Sequence, residues 1–248
     1  MGQLNQAIDI KNVLEFYDIK NFVETGTGIG EVVRSVCEID ETINVHTIEI
    51  IQEIYDKNKI AYSYLDNVTW HRGSSSVCLP NIVPNLEGNT LFWMDAHFPG
   101  ADFGLAGYGD EGDIDKRLPL KNELKIILDT KDVTNDVFVI DDLRIYEDGP
   151  FEHGSWADRK KYGGNGIAFI EELFEDTHYV SRSYNQQGYV LLFPLNKDIS
   201  SEKKVSLSLT KLSPSLSSIS QDRINDVVNY VIENYKNKLC LDLYLELF

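Results

Sequence analysis

The feature that most restricts the fold is an alternation of two hydrophobic periods between residues 21 and 141. Short apolar runs of strand length lie at 21–25 (NFVET), 45–50, 68–71, 91–95 (LFWMD) and 137–141 (VFVID). Between them, apolar residues recur at helix spacing. The segment 31–39 puts Val32, Val33, Val36 and Cys37 on one face, 118–128 puts Leu120, Leu124, Ile127 and Leu128 in register, and 51–64 and 75–82 read as two further helices. Leu4, Ala7, Ile8, Val13, Leu14 and Tyr17 predict a first helix. Such alternation means parallel strands joined by helical crossovers and covered on both faces. After a helix at 167–174 the pattern changes. Strands at 179–184 and 189–193 are separated by residues 185–188 alone, a loop that permits only an antiparallel hairpin. Residues 1–195 are therefore expected to form an α/β, doubly wound sheet of five parallel strands ending in a hairpin.

Residues 196–248 read differently. The stretch 200–220 is rich in Ser and Lys, and within it Val205, Leu207 and Leu209 alternate with Ser206, Ser208 and Thr210. Ile224, Val227, Val228, Val231, Ile232 and Tyr235 follow helix spacing, and Leu239, Leu241, Leu243, Leu245 and Leu247 return to period two. The expectation is a strand–helix–strand appendage, either an edge cover for its own domain or a dimerisation element of a homo-oligomer.

Charge narrows the function classes. Lys plus Arg total 23 and Asp plus Glu 40, so 23 − 40 gives −17 over 248 residues. A surface this acidic repels phosphate backbones and anionic membranes, which argues against a nucleic-acid or membrane partner. Cys37, Cys78 and Cys240 are odd in number and widely spaced, so reduced thiols in a cytoplasmic protein are expected. No signal peptide is evident at the N-terminus, and no apolar run approaches the ~20 residues of a membrane span.

The first chemical motif is FVETGTGIG at 22–30, a strand, then Gly26, Gly28 and Gly30, then a helix. Glycines at such a bend let a ligand approach the backbone, and the helix beyond offers free N–H donors. A dinucleotide site wants Gly-x-Gly-x-x-Gly. Here the spacing is Gly-x-Gly-x-Gly with Glu24 two residues ahead, an acid poor for a pyrophosphate and good for an amino group. Glu49 ends the second strand about twenty residues on, where a carboxylate can accept ribose hydroxyls. The third strand ends in HRGSSS at 71–76.

These residues resemble class I S-adenosylmethionine-dependent methyltransferases, a Rossmann-like family, over about residues 1–195. The resemblance implies that Glu24, Thr25, Gly26, Thr27, Gly28 and Gly30 hold the methionine part of S-adenosylmethionine and Glu49 its ribose. It places Gly73, Ser74 and Ser75 on the adenine side, where Ser74 replaces the family's frequent acid, and Asp95 at the edge of the cofactor site.

The second motif is the pair LFWMDAH at 91–97 and VFVIDDLR at 137–144. Both put acids at the C-terminal ends of central strands, where open α/β sheets bind ligands. Asp95, Asp141 and Asp142 could share a magnesium ion that orients two hydroxyls and lowers the pKa of one. Alternatively Asp95 or His97 is a metal-free general base, or the acids merely cap strand ends. The loop 98–117 carries five glycines and is long enough for a lid. Its acids Asp102, Asp110, Glu111, Asp113 and Asp115 read mainly as a solvated face. Arg144, with Arg159, Lys160 and Lys161 in the loop DRKKYGGNG, offers cations for a phosphate-bearing substrate, and Trp156 and Tyr162 offer aromatic faces.

The WMDAH and IDDLR pair, joined by a long loop and a helix beginning LPLKNEL, is similar to small bacterial sugar O-methyltransferases of polysaccharide and capsule gene clusters and to FkbM-like enzymes. That resemblance implies methyl transfer to a hydroxyl of a nucleotide-linked sugar, such as a heptose, with Asp95, His97, Asp142 and Arg144 around the reacting group. A non-catalytic S-adenosylmethionine-binding protein and an NAD-dependent oxidoreductase are the competing readings. The glycine spacing and Glu24 speak against the second.

Overall fold

The computed structural model describes residues 3–108, 114–152, 154–156 and 166–196. The expectations for the appendage at 196–248, for Arg159, Lys160, Lys161 and Tyr162, and for Asp110, Glu111 and Asp113 lie outside the described residues, apart from Asn196 itself.

The chain runs α1 (Leu4–Ala7), α2 (Ile10–Phe16), β1 (Ile19–Thr25), α3 (Glu31–Ile39), β2 (Asn44–Glu49), α4 (Gln52–Ala61), β3 (Val68–Arg72), α5 (Ser75–Ile82) and β4 (Asn89–Met94). It continues through α6 (Ile114–Arg117), α7 (Leu120–Thr130), β5 (Val137–Asp141), α8 (Ala168–Phe174), β6 (His178–Ser183) and β7 (Tyr189–Pro194). The sheet order is β3-β2-β1-β4-β5-β7-β6. β1 to β5 pair in parallel, and β7 pairs antiparallel with both β5 and β6. This is the doubly wound sheet with a terminal hairpin that the periodicity predicts.

One expected element divides. The single N-terminal helix is two, because Asp9 leaves helical geometry and its carboxylate accepts the Asn12 N–H at 3.2 Å, capping α2. α6 is an added short helix within the loop expected to be irregular.

Strand order reverses between β1 and β4: the chain first builds outward through β2 and β3, then returns to β1's other side. Ligand crevices form at such switch points, outside the carboxyl ends of the strands. The positions are held by a dry core. Phe92 of β4 stacks on Phe138 of β5 at 4.7 Å, and Val23, Leu124, Ile127 and Leu192 pack in the same cluster. Each fully buried side chain of this size contributes about 1.5–3 kcal/mol. Asp136, just before β5, accepts the Thr90 N–H at 2.8 Å and the Lys131 ammonium at 2.7 Å, fixing β5 against β4. No helix among the described residues is long and apolar enough to cross a membrane.

Candidate functional site

The loop between β1 and α3 is shaped by three glycines at positive φ: Gly26 (+86°), Gly28 (+56°) and Gly30 (+76°). At Gly26 the requirement is doubled, because a Cβ there would lie 2.5 Å from the backbone oxygen of Asp95. The loop is fastened from below and from the side. Gly26 and Thr27 donate their N–H groups to the Ile48 carbonyl at 3.0 and 3.2 Å. Asn58 donates to the Gly28 carbonyl at 2.7 Å, and the Tyr62 hydroxyl donates to that of Ile29 at 3.1 Å.

Two carboxyls stand behind this loop. Glu24 is 1% exposed and accepts the Thr47 hydroxyl at 2.6 Å, which is itself 2.6 Å from the Thr27 hydroxyl. Burial, with a smaller push from the Glu49 charge, raises Glu24 to about 8, against the Thr47 hydrogen bond. Glu49 accepts the N–H of Gly28 at 3.2 Å and of Ile51 at 2.8 Å. Burial raises its pKa too, and those backbone donors partly offset it. Gly73 donates to the Glu49 carbonyl at 2.9 Å, which brings the end of β3 to the same place.

A cleft, partly open to solvent, connects these groups. Glu24, Gly26, Thr27, Gly28, Glu49, Gly73, Ser74, Ser75, Asp95 and His97 all line it. Thr25 is fully buried beneath the loop, and Gly30 sits at the start of α3. Most of the residues expected on the cofactor side therefore share one concavity.

The cleft ends at a cluster of acids around one imidazole. His97 Nδ1 lies 3.3 Å from Asp95 Oδ1, and its Nε2 lies 3.5 Å from Asp142 Oδ2. Asp142 also accepts the Arg144 Nε–H at 2.7 Å. Asp141 is 2% exposed; its carboxyl faces that of Asp95 and the backbone N–H of Asp142, and neither oxygen meets a donor at full hydrogen-bond geometry. Burial raises the pKa of Asp95 and Asp141, and each is raised further by a neighbouring carboxylate. Burial pushes Asp142 the same way, but His97 and Arg144 outweigh it and the net shift is downward. For His97 burial lowers the pKa, while the Asp142 and Asp141 carboxylates prevail and raise it.

The sequence puts Asp95, Asp141 and Asp142 together as a cation trio. Among the described residues, the three groups whose ligand atoms lie within 4.8 Å of one another are Asp95, His97 and Asp141, while Asp142 faces His97 and Arg144. Buried oxygens with no donor are rare, and they mark a carboxylate fitted to a proton or a cation. Two non-glycine residues at positive φ flank the imidazole, Phe98 (44°) and Asp142 (57°). Strained backbone of this kind collects where side chains must be held in particular directions.

The loop after His97 packs around Phe98. Trp156 meets its ring at 4.7 Å, Tyr108 at 5.5 Å and the Arg117 guanidinium at 5.1 Å. Arg117 also donates to the carbonyls of Gly107 and Tyr108 at 3.1 and 2.7 Å, and the Tyr108 hydroxyl donates to Asp102 at the cleft rim. Trp156 is thus part of this packing. Thr47, Asn58 and Glu123 escape the sequence reading. They are polar residues on otherwise apolar faces, and that interruption was their only signal. Asp102, read from the sequence as part of a solvated face, lines the cleft.

No protein-family model and no curated protein sequence matches the chain. Solved structures do. A Staphylococcus aureus protein described as a caffeoyl-CoA O-methyltransferase superposes with a TM-score of 0.53 at 16% identity, over 78% of this chain and 84% of that one. The SAH-bound Podospora anserina methyltransferase PaMTH1 gives 0.52 at 20% identity, over 78% and 80%. An SAH-bound O-methyltransferase from Bacillus cereus gives 0.52 at 13% identity, over 78% and 82%. What the chain shares with these proteins is their Rossmann-like methyltransferase fold.

Proposed function

We propose that the chain is an O-methyltransferase that moves a methyl group from S-adenosylmethionine to a hydroxyl of a small molecule. The observation that carries this reading is one cleft with a glycine loop and two buried carboxyls at one end and an acid–histidine cluster at the other. The loop fits the cofactor. Its glycines keep the backbone open, Glu24 answers an ammonium, and Glu49 keeps acceptor lone pairs for ribose hydroxyls. S-adenosylmethionine supplies a methyl already activated by its sulfonium.

The chain's own task is then alignment and removal of one proton. The acceptor hydroxyl sits at Asp95 and His97, within reach of the cleft. Its proton passes to Asp95 or to the imidazole, whose orientation Asp142 and Arg144 maintain. Positioning accounts for much of the rate in such a reaction. Asp95, His97 and Asp141 also fit a divalent cation such as magnesium, which when bound would polarise the acceptor oxygen.

The acceptor we infer is a sugar hydroxyl, nucleotide-linked, as in capsule polysaccharide precursors, with Arg144, Arg159, Lys160 and Tyr162 toward its phosphates and base. Its support is the motif resemblance and the clustering of those cations in sequence. A homo-oligomer built through residues 196–248 and a cytoplasmic location complete the reading. Calorimetry against S-adenosylhomocysteine and NAD tests the core of it: binding of the first and not the second is expected, and folded protein that binds no S-adenosylhomocysteine would contradict it. A panel of nucleotide sugars, read by mass gain of one methyl with and without EDTA, tests the acceptor and the metal.

A further inference from the structure

Glu123 projects from α7 and is 1% exposed, although it is a carboxyl in a helix whose other buried residues are apolar. The Ser75 hydroxyl, at the first residue of α5, and the Thr25 hydroxyl both face the carboxyl and hold its pKa down against burial, and neither closes a full hydrogen bond with it. Glu123 Oε1 accepts nothing among the described residues. It borders a second, smaller cavity, which Asp141, His97 and Tyr146 also line.

This placement joins two halves of the molecule. Ser75 lines the main cleft beside Gly73 and Ser74. Asp141 and His97 belong to the acid cluster. Glu123 Oε1 and both Asp141 oxygens are buried without a donor at full hydrogen-bond geometry, and the two residues border the same small cavity. Buried polar atoms are nearly always paired, by ordered water where the protein supplies no donor, and this small cavity has space for about one water.

We propose that Glu123 is a positioning residue, tying Ser75 on the cofactor side to the acid cluster through ordered water in this cavity. The proposal rests on the S-adenosylmethionine reading above. Glu123 touches neither cofactor nor acceptor. It acts by hydrogen bonding, so a side chain of the same shape that still bonds should replace it, and an apolar one should not.

The test compares Glu123→Gln, Glu123→Leu, Ser75→Ala and the Ser75→Ala/Glu123→Leu double variant. Each is read by S-adenosylhomocysteine calorimetry and by a kcat-against-KM split. Loss of one buried hydrogen-bonded link predicts about fivefold weaker binding in Glu123→Leu, and about twofold or less in Glu123→Gln. The double variant should lose less than the product of the two single losses. Additive losses, unchanged binding and kcat in folded Glu123→Leu, or a Glu123→Gln as damaged as Glu123→Leu overturn the proposal. A high-resolution crystal structure of the wild type is a readout independent of any variant's folding: ordered water on Glu123 Oε1 is expected, and a dry cavity overturns the proposal. Wild type that binds no S-adenosylhomocysteine fails at the cofactor reading itself, a result distinguishable from failure at Glu123.

Discussion

Nε2 of His97 lies 3.5 Å from Oδ2 of Asp142, a residue whose own backbone is held at a φ of 57°. The Asp142 carboxylate raises the imidazole's pKa, and the imidazole in turn lowers that of Asp142. Asn tolerates this backbone conformation and keeps the side chain's shape without its charge. Asp142→Asn should therefore fold normally and lower kcat about 10- to 100-fold, with little effect on cofactor affinity. Without the carboxylate the imidazole loses its proton at lower pH, so the pH profile of kcat/KM should move toward acid. Unchanged turnover and an unshifted profile would remove Asp142 from the site.

Glu49 accepts two backbone N–H groups and faces the cleft. Glu49→Ala is expected to weaken S-adenosylhomocysteine binding about tenfold or more, since hydrogen bonds to a charged group are each worth about 1.5–3 kcal/mol. Calorimetry on protein of wild-type circular dichroism checks it. Wild-type affinity would exclude the ribose role.

Gly26→Ala meets a positive φ and a backbone oxygen at 2.5 Å, neither of which can yield cheaply. A loss of about 1–3 kcal/mol in stability is expected, together with cofactor binding. Thermal denaturation of this variant beside Gly104→Ala, which also has positive φ but no atom within 4 Å, separates the steric cost from the conformational one.

Glu24 gives the unliganded protein a pH dependence of definite sign. Its folded pKa of about 8 lies above the unfolded value of 4.5. The stability it contributes is full below the unfolded value and is lost as pH rises through about 8. Tm should therefore fall between pH 6 and pH 8.5, by an amount on the order of 2 kcal/mol in stability. Glu24→Gln should flatten part of that slope, leaving the parts due to Glu123, raised to about 7 by burial, and to the other buried carboxyls raised by burial, Asp95 foremost. An equal slope in the variant would show that Glu24 titrates normally.

His46 and His71 make the opposite contribution. Their ring nitrogens are 3.0 Å apart, and burial lowers His46 to about 4, with His71 adding to the shift. A base with a depressed pKa favours folding above its unfolded value, and that contribution is lost as pH falls. Their own contribution to stability should fall by about 1 kcal/mol from pH 7 to pH 4.5 once solvent screening of these half-buried rings is allowed for, against the gain from Glu24 over the same range. The difference between the acid limbs of wild type and His46→Phe should show this loss, and identical limbs would assign it to other groups.

Much of the fold was legible in the sequence because continuous apolar strands and one-faced helices leave few alternatives. The segments 31–39, 75–82 and 137–141 agree with α3, α5 and β5 to the residue. The first helix was not, because Ile8 continues the apolar pattern across the very place where Asp9 turns away to cap α2. In the site, glycines and strand-end acids announce themselves by position. Partners such as Thr47, Asn58 and Glu123 do not, since only the fold shows that a polar atom on an apolar face has another to meet. The choice of His97 over Asp142 beside Asp95 and Asp141 was illegible for a similar reason. It depends on the αL turn at Asp142, and neighbouring acids in sequence do not reveal which way each one faces.

The contact between Gly26 and the Asp95 carbonyl makes the cleft's two ends a single piece of main chain. The distance from glycine loop to acid cluster is set by the bare backbone of β1 and β4, and no side chain acts as a spacer. Side chains at 97, 141 and 142 can consequently be exchanged while the loop keeps its place. On this scaffold, the chemistry of the acid cluster and the shape of the glycine loop are separable design variables.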